Sequence, residues 1–317
     1  MFARSRFRCG DPWFASAIAV CLTCLWGCAT SSPHYREQKA FGDPTSAVNA
    51  LLSAAANDNT AELEAIFGSE ARDVLSSGDP VADRNQRDVF VVAMNDGWTL
   101  ERNDAGTTEL IIGHEQWPFP IPLVKDRHGW WFDTMAGKDE ILARRIGRNE
   151  LAAIGVLRTY VIAQREYASD GRDGRPAGIY ARKVRSDPGR QDGLYWATSN
   201  PDEKPSPLGK FAAEAAQEGY GTEPSKGPTP YHGYYFRILT RQGRDAPGGT
   251  RSYLVAGEMT DGFAMVAYPA EYGNSGIMSF LVGQDGTVFE TDLGEDTLRV
   301  AAGITEYNPD GTWYPVE

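Results

Sequence analysis

The chain changes its hydrophobic periodicity at Gly97, and that change constrains the fold more than any other feature. Before it, Val48, Leu51, Leu52 and Ala55 repeat at the spacing of an amphipathic helix. That helix is entered through Asp43-Pro44, an N-cap followed by the residue best tolerated at the first helical position. Further helices are predicted over 60–67, stopped by Gly68, and over 70–75. Another runs from Asp79-Pro80, a second copy of the entry signal, to the Asn95-Asp96-Gly97 turn. After Gly97, residues 98–102, 107–112, 121–125 and 129–133 are short runs rich in β-branched and aromatic residues, separated by polar turns. Helices followed by strands predict an α+β layer over residues 43–147. Within it, Trp117-Pro118-Phe119-Pro120-Ile121-Pro122 sets prolines at alternate positions, which strips the donors from one side of a strand and predicts a protected sheet edge.

The same order of elements recurs over residues 148–317. Asn149 is read as the cap of a helix reaching residue 168. Leu151, Ile154, Leu157 and Val161 form one apolar stripe on it, and Val156, Tyr160, Ala163 and Tyr167 another beside it. A face that broad packs against a sheet. Glycine, proline and charge dominate 186–230, which holds one short helix over 207–217, capped by Ser206 and closed near Gly219. Strands are expected over 234–240, 252–259, 263–268, 277–282 and 287–291, with Gly283-Gln284-Asp285-Gly286 as an antiparallel hairpin turn.

The first residues carry an address. Arg4, Arg6 and Arg8 precede an apolar run over 13–26 that is shorter than the about 20 residues a spanning helix needs, the pattern of an export signal. Leu25-Trp26-Gly27-Cys28-Ala29 resembles the lipobox of bacterial lipoproteins. That resemblance implies cleavage of residues 1–27 and a diacylglycerol on the Cys28 thiol, with Ala29 compatible with outer-membrane sorting; the alternative is a plain secretory signal cut near Ala29. Residues 28–42 then form a polar tether with a coil reach of roughly 20 Å. Cys9, Cys21, Cys24 and Cys28 are all four of the chain's cysteines, so a body that starts at Cys28 has no disulfide, cysteine nucleophile or thiolate metal site. The formal charge is −12 for the whole chain, and loss of three Arg and one Asp with residues 1–27 leaves 28 basic and 42 acidic residues. No basic cluster stands out against that balance, so no nucleic-acid partner is expected. The expected location is the periplasm, with the lipid on Cys28 holding the protein to a membrane, the outer membrane favoured.

Three further resemblances sharpen the fold. Helices around a bent antiparallel sheet with a Gly129-Trp130-Trp131-Phe132-Asp133 strand are similar to the cone of the nuclear-transport-factor-like superfamily, which implies an interior pocket near Trp117, Phe119, His128 and Trp130. The run Asn149-Glu150-Leu151-Ala152-Ala153-Ile154, with Tyr160, Ala163-Gln164 and Tyr167-Ala168, resembles the spine helix of pilin-like proteins. Gly233-Tyr234-Tyr235-Phe236-Arg237, Ala267-Tyr268-Pro269 and Asp285-Gly286-Thr287-Val288 resemble their strands, which implies a pilin-like helix-on-sheet domain. From Phe41-Gly42-Asp43-Pro44 through Tyr231-His232-Gly233-Tyr234 to Asp285-Gly286, the chain resembles an uncharacterised bacterial family, domain-of-unknown-function family 2950, which implies no activity.

The chemistry visible in the sequence is sparse. It has no GxSxG, P-loop, HExxH, dinucleotide or EF-hand motif, and His34, His114, His128 and His232 have no ligand spacing, so no metal and no cofactor is expected. Asp170-Gly171-Arg172-Asp173-Gly174 offers oxygens for calcium, but its arginine lowers the field and no glutamate closes it; it reads as a solvated turn. Tyr231, His232, Tyr268, Tyr272 and Asn274 lie at strand ends and in the adjoining loop and are the candidate recognition surface, or else core of the sheet face. Two readings stay open. One is a non-enzymatic envelope lipoprotein that binds an envelope protein or polymer through that surface. The other is a periplasmic enzyme or small-ligand carrier that uses the N-terminal pocket, with His128 or Asp133 as acid or base.

Overall fold

The computed structural model describes residues 38–103, 106–198, 203–221 and 229–316. The signal segment, Cys28 and the tether up to residue 37 lie outside the described residues. Residues 37–317 form one compact unit. It is α+β throughout, with helices first, an antiparallel sheet, a long helix and a second antiparallel sheet.

Helices α1 (Pro44–Ala56), α2 (Thr60–Phe67), α3 (Arg72–Leu75) and α4 (Pro80–Asp96) occupy the positions that the capping residues predict, with a 3-10 turn at Ser69–Ala71 ahead of α3. Asp43 accepts from Ser46 N at 2.8 Å and Asn59 from Glu62 N at 3.1 Å, satisfying amide groups the first helical turn leaves free. Strands β1 (Trp98–Arg102), β2 (Thr108–Ile112), β3 (Trp117–Pro118), β4 (Leu123–Asp126) and β5 (Gly129–Phe132) form one antiparallel sheet in the order β1-β2-β4-β5, with β3 on β2. β3 is an edge as the prolines predict: Phe119 N donates to Leu110 O at 2.8 Å, while the intervening prolines have no amide to offer the other side. Val48, Leu51, Ile66, Phe67, Leu110, Ile112, Leu123 and Phe132 form the core between these helices and the sheet.

Helix α5 runs from Thr134 to Ser169, sixteen residues earlier than a cap at Asn149 predicts. Its cap is Asp133, whose side chain accepts from Ala136 N at 3.3 Å. Asn149 is instead buried in mid-helix and donates its Nδ2 to Ser275 O at 2.9 Å, a tertiary bond made by the donor end of the amide whose oxygen a cap would use. The helix passes without a break through residue 147, where the sequence reading ends its first domain. Beyond it lie α6 (Gly209–Gln217), β6 (Tyr234–Leu239), β7 (Arg241–Gln242), β8 (Arg251–Ser252), β9 (Leu254–Val255), β10 (Glu258–Met259), β11 (Ala264–Pro269), β12 (Met278–Gly283), β13 (Val288–Asp292), α7 (Thr297–Gly303) and β14 (Tyr314–Pro315). The order β14-β13-β12-β11-β6 is antiparallel throughout, and α5 packs on β11, β12 and β13. Leu157, Tyr160, Val161 and Tyr167 of α5 join Tyr234, Val266, Phe280 and Leu281 in a second core.

Two predicted elements differ. The single strand over 252–259 is a pair, β9 and β10, because Ala256 and Gly257 take φ of 52° and 87° and turn the chain back, pairing Val255 with Glu258. Helix α6 starts at Gly209 and not at residue 207, and the hydroxyl of Ser206 makes no capping bond. Among the described residues no helix is long and apolar enough to cross a membrane.

Candidate functional site

The residues singled out as a recognition surface are spent largely on internal contacts. Asn274 is buried and ties together three segments: its Oδ1 accepts from Arg145 Nη1, and its Nδ2 donates to Ser76 O and to Glu271 Oε2, both at 2.8 Å. Tyr272 donates its hydroxyl to Asp292 at 3.2 Å, and Tyr268 stacks beside Tyr235 at 5.7 Å between ring centroids. Tyr231 and His232 do come together, with centroids 4.2 Å apart, in a cluster with Tyr220 and Phe211. Burial first, then Glu218 and Glu214, pushes the Tyr231 hydroxyl up to about 12. His232 Nε2 lies 3.1 Å from Glu218 Oε2.

Behind that cluster sits Asp79, which is 1% exposed. Its Oδ1 accepts from Val81 N at 3.2 Å and Ala82 N at 3.1 Å, capping α4. Its Oδ2 accepts from Tyr220 Oη at 2.8 Å and Gly233 N at 3.0 Å. His232 N in turn donates to Tyr220 Oη at 3.1 Å. Burial raises the Tyr220 pKa, with the neighbouring Asp79 charge adding to the effect. One carboxylate thus joins the start of α4 to segments that follow it by 141 and 154 residues.

Of the four residues placed near an N-terminal pocket, two line one. A cavity of about 210 Å³ is walled by Leu51, Ala55, Leu63, Phe67, Val74, Leu75, Phe90, Phe119 and Ile141, with Trp117 at its edge. Phe119 sits 5.7 Å from Phe90 and 6.3 Å from Phe67 between centroids. His128 and Trp130 are elsewhere. His128 is in the exposed β4–β5 turn, where its amide donates to Asp126 Oδ1 at 2.7 Å and its Nε2 accepts from Arg127 Nε at 2.8 Å. Trp130 exchanges backbone hydrogen bonds with Phe41 at 2.8 Å in each direction. Asp133, the alternative acid or base, caps α5. The expectation of His128 or Asp133 as acid or base in this pocket is therefore corrected: neither lines it, because each serves its own turn.

Four arginines stand around the same cavity: Arg87 on α4 and Arg144, Arg145 and Arg148 on α5. Arg87 is ion-paired with Asp58 at 2.7 Å. Arg145 acts as a staple, donating to Asp73 O at 2.6 Å, to Val74 O and to Asn274; burial lowers its pKa, opposed by the charge of Asp83. Arg144 lies 5.4 Å above the Trp117 ring and holds Glu140 at 2.6 Å through Nε, while its Nη1 is buried without a partner. Arg148 makes no hydrogen bond or ion pair among the described residues; burial and then the charge of Arg144 lower its pKa. The one carboxylate in the lining, Asp83, accepts from Ser77 N at 3.0 Å and Ser77 Oγ at 2.6 Å. Asp83, Gln86, Arg145 and Arg148 also line a second, polar cleft of about 690 Å³ that reaches His232, Glu218 and Tyr220. The apolar cavity and the polar cleft therefore meet at these four side chains.

The sequence signal for the arginines is slight: Arg144 and Arg148 sit four residues apart, on one helical face of an acidic chain. Asp170 pairs with Lys204 and Asp173 with Arg190, so the candidate calcium loop directs its carboxylates to cations of the chain itself. Among the described residues no group of three or more His, Cys, Asp or Glu is arranged to hold a metal ion.

No curated protein and no solved structure matches the chain, so the likeness to pilins rests on residues alone. One family model does match, over residues 38–316, from the residue that bonds the end of α2 to the last described position. With that extent the chain belongs to the family described as Protein of unknown function (DUF2950).

Proposed function

We propose that this chain is a non-catalytic, exported lipoprotein whose N-terminal half binds a small apolar ligand. The carrying observation is the cavity between α1, α2, α4 and β3, walled by aliphatic and phenyl side chains. Apolar cavities of about 150 Å³ hold a benzene ring, so one of about 210 Å³ suits a ring or a chain of about eight carbons. The protein- or polymer-binding reading is less well supported, since Asn274, Tyr268 and Tyr272 are engaged within the chain.

Burying about seven methylenes yields about 5–6 kcal/mol before the cost of immobilising the ligand, which leaves a Kd of about 0.1–1 mM for 1-octanol. Calorimetric titration of the protein lacking residues 1–27 with octanol should show that affinity. Val74→Phe, which fills the cavity from α3, should weaken it about ten-fold or more without loss of folding. Equal binding by the Val74→Phe variant would place the ligand elsewhere and reject this site.

The export signal and the lipobox likeness support anchoring through Cys28. Labelling growing cells with radioactive palmitate should mark the protein, and Cys28→Ala should abolish both the label and sedimentation with membranes. A Cys28→Ala protein that stays labelled would remove the anchor from the account.

A further inference from the structure

Resting on the pocket reading, the geometry points to a ligand that is a monoanionic amphiphile, a short acyl or aryl monocarboxylate, held with its apolar part in the cavity and its carboxylate between Arg144 and Arg148. Two observations beyond the apolar lining lead there. The first is the buried Nη1 of Arg144, which has no partner among the described residues, whereas buried polar groups in proteins are normally bonded. The second is Arg148, one turn further along α5, a guanidinium with no bond or ion pair among the described residues. The two like charges oppose each other, and a carboxylate between them would relieve that repulsion while accepting charge-assisted hydrogen bonds from both.

The remaining charges facing the site do not remove this preference. Arg87 is matched by Asp58, Glu140 holds only Nε of Arg144, and Asp83 is bonded to Ser77. Arg145 gives its guanidinium to two backbone carbonyls and Asn274, none of them charged. The lining of the apolar cavity thus sets four arginines against one carboxylate, Asp83, in a chain of formal charge −12, while Asp88 and Glu218 line the cleft beyond it. The position is also right for an amphiphile. Arg145 and Arg148 lie where the apolar cavity opens into the polar cleft, so a head group there stays hydrated while its tail is dry. A full-length diacyl lipid exceeds the volume of about 210 Å³, which favours a free short acid.

Octanoate, octanol and octylammonium share a tail and differ in charge, and their affinities for the protein lacking residues 1–27 test the inference at pH 7. Octanoate should bind about ten-fold or more tightly than octanol, and octylammonium more weakly than either. Arg148→Gln, which breaks no bond among the described residues, should bring octanoate to the level of octanol and leave octanol unchanged. Arg148→Glu should invert the preference toward octylammonium. Equal affinity of octanoate and octanol for the unaltered protein overturns the anion preference while leaving the apolar pocket standing. A preference for octanoate that survives both Arg148→Gln and Arg144→Gln overturns the assignment of the head group. Failure of all three ligands to bind overturns the pocket itself, and a dioctanoyl phospholipid binding as well as octanoate overturns the free acid as ligand.

Discussion

Asp79→Ala should destabilise the protein by about 3–5 kcal/mol, more than any other single carboxylate removal in the chain. Loss of the α4 cap accounts for about 1 kcal/mol of this. The rest comes from Tyr220 Oη and Gly233 N, which lose their common acceptor in a buried setting, at about 1–3 kcal/mol for each group left unbonded. Urea unfolding followed by tryptophan fluorescence measures the sum. Tyr220→Phe removes one of the two donors without orphaning the carboxylate but also takes the acceptor of His232 N, and should cost about 1–3 kcal/mol. Asp79→Asn should fall between, because an amide oxygen still caps α4 while its NH2 faces the Gly233 amide, which has no acceptor to offer. A cost of only about 1 kcal/mol for Asp79→Ala would show that the carboxylate is a local cap and does not join α4 to Tyr220 and Gly233.

The second large effect concerns the approach of α5 to the first sheet. Gly137 is buried in the opening turns of α5, and a Cβ there would lie 2.4 Å from Pro120 O, 2.6 Å from Pro120 C and 2.7 Å from Ile121 N. All three are backbone atoms, so no rotamer change makes room. Alanine is the better helix former by about 1 kcal/mol, and an overpacked core site costs about 1–3 kcal/mol or more when backbone must shift. The clash should win for Gly137→Ala, lowering Tm by about 4–8 °C and displacing Pro120, which lines the apolar cavity. Gly147→Ala on the same helix is the control. Its Cβ would meet nothing within 4 Å, so propensity alone acts and Tm should rise slightly. A Gly137→Ala protein as stable as the unaltered one would mean that α5 does not rest on the β3–β4 connection as described.

These residues also show what a sequence can reveal. Asp43-Pro44, Asp79-Pro80 and the Gly283–Gly286 turn were legible because each decides its own backbone within a few residues. Residues 134–148 were not. They hold Lys138, Arg144, Arg145 and Arg148, whose charge hides the apolar periodicity, and their helix becomes evident only when Arg145 meets Asp73 and Asn274, the latter 129 residues away. Asn149 misled because an asparagine amide carries both an acceptor that can cap a helix and a donor that can bridge to a distant carbonyl, and here the donor is used. Ala256-Gly257 hid a hairpin because alanine seldom takes the positive φ of 52° seen there. In the candidate site, Trp117 and Phe119 stood out as aromatic residues between prolines. Arginines four apart on a helix usually face water, and only the unpartnered Nη1 of Arg144 and the open mouth beside Arg148 distinguish these.

The central claim is that the cavity beneath α4 receives an apolar ligand, and a crystal structure of the protein with octanol bound tests it most directly. The account predicts continuous density for the chain among Phe67, Phe90 and Phe119, with the hydroxyl at the end nearer Arg148. Density confined to the polar cleft beside His232, or a cavity closed by Phe90 with no ligand inside, would contradict it.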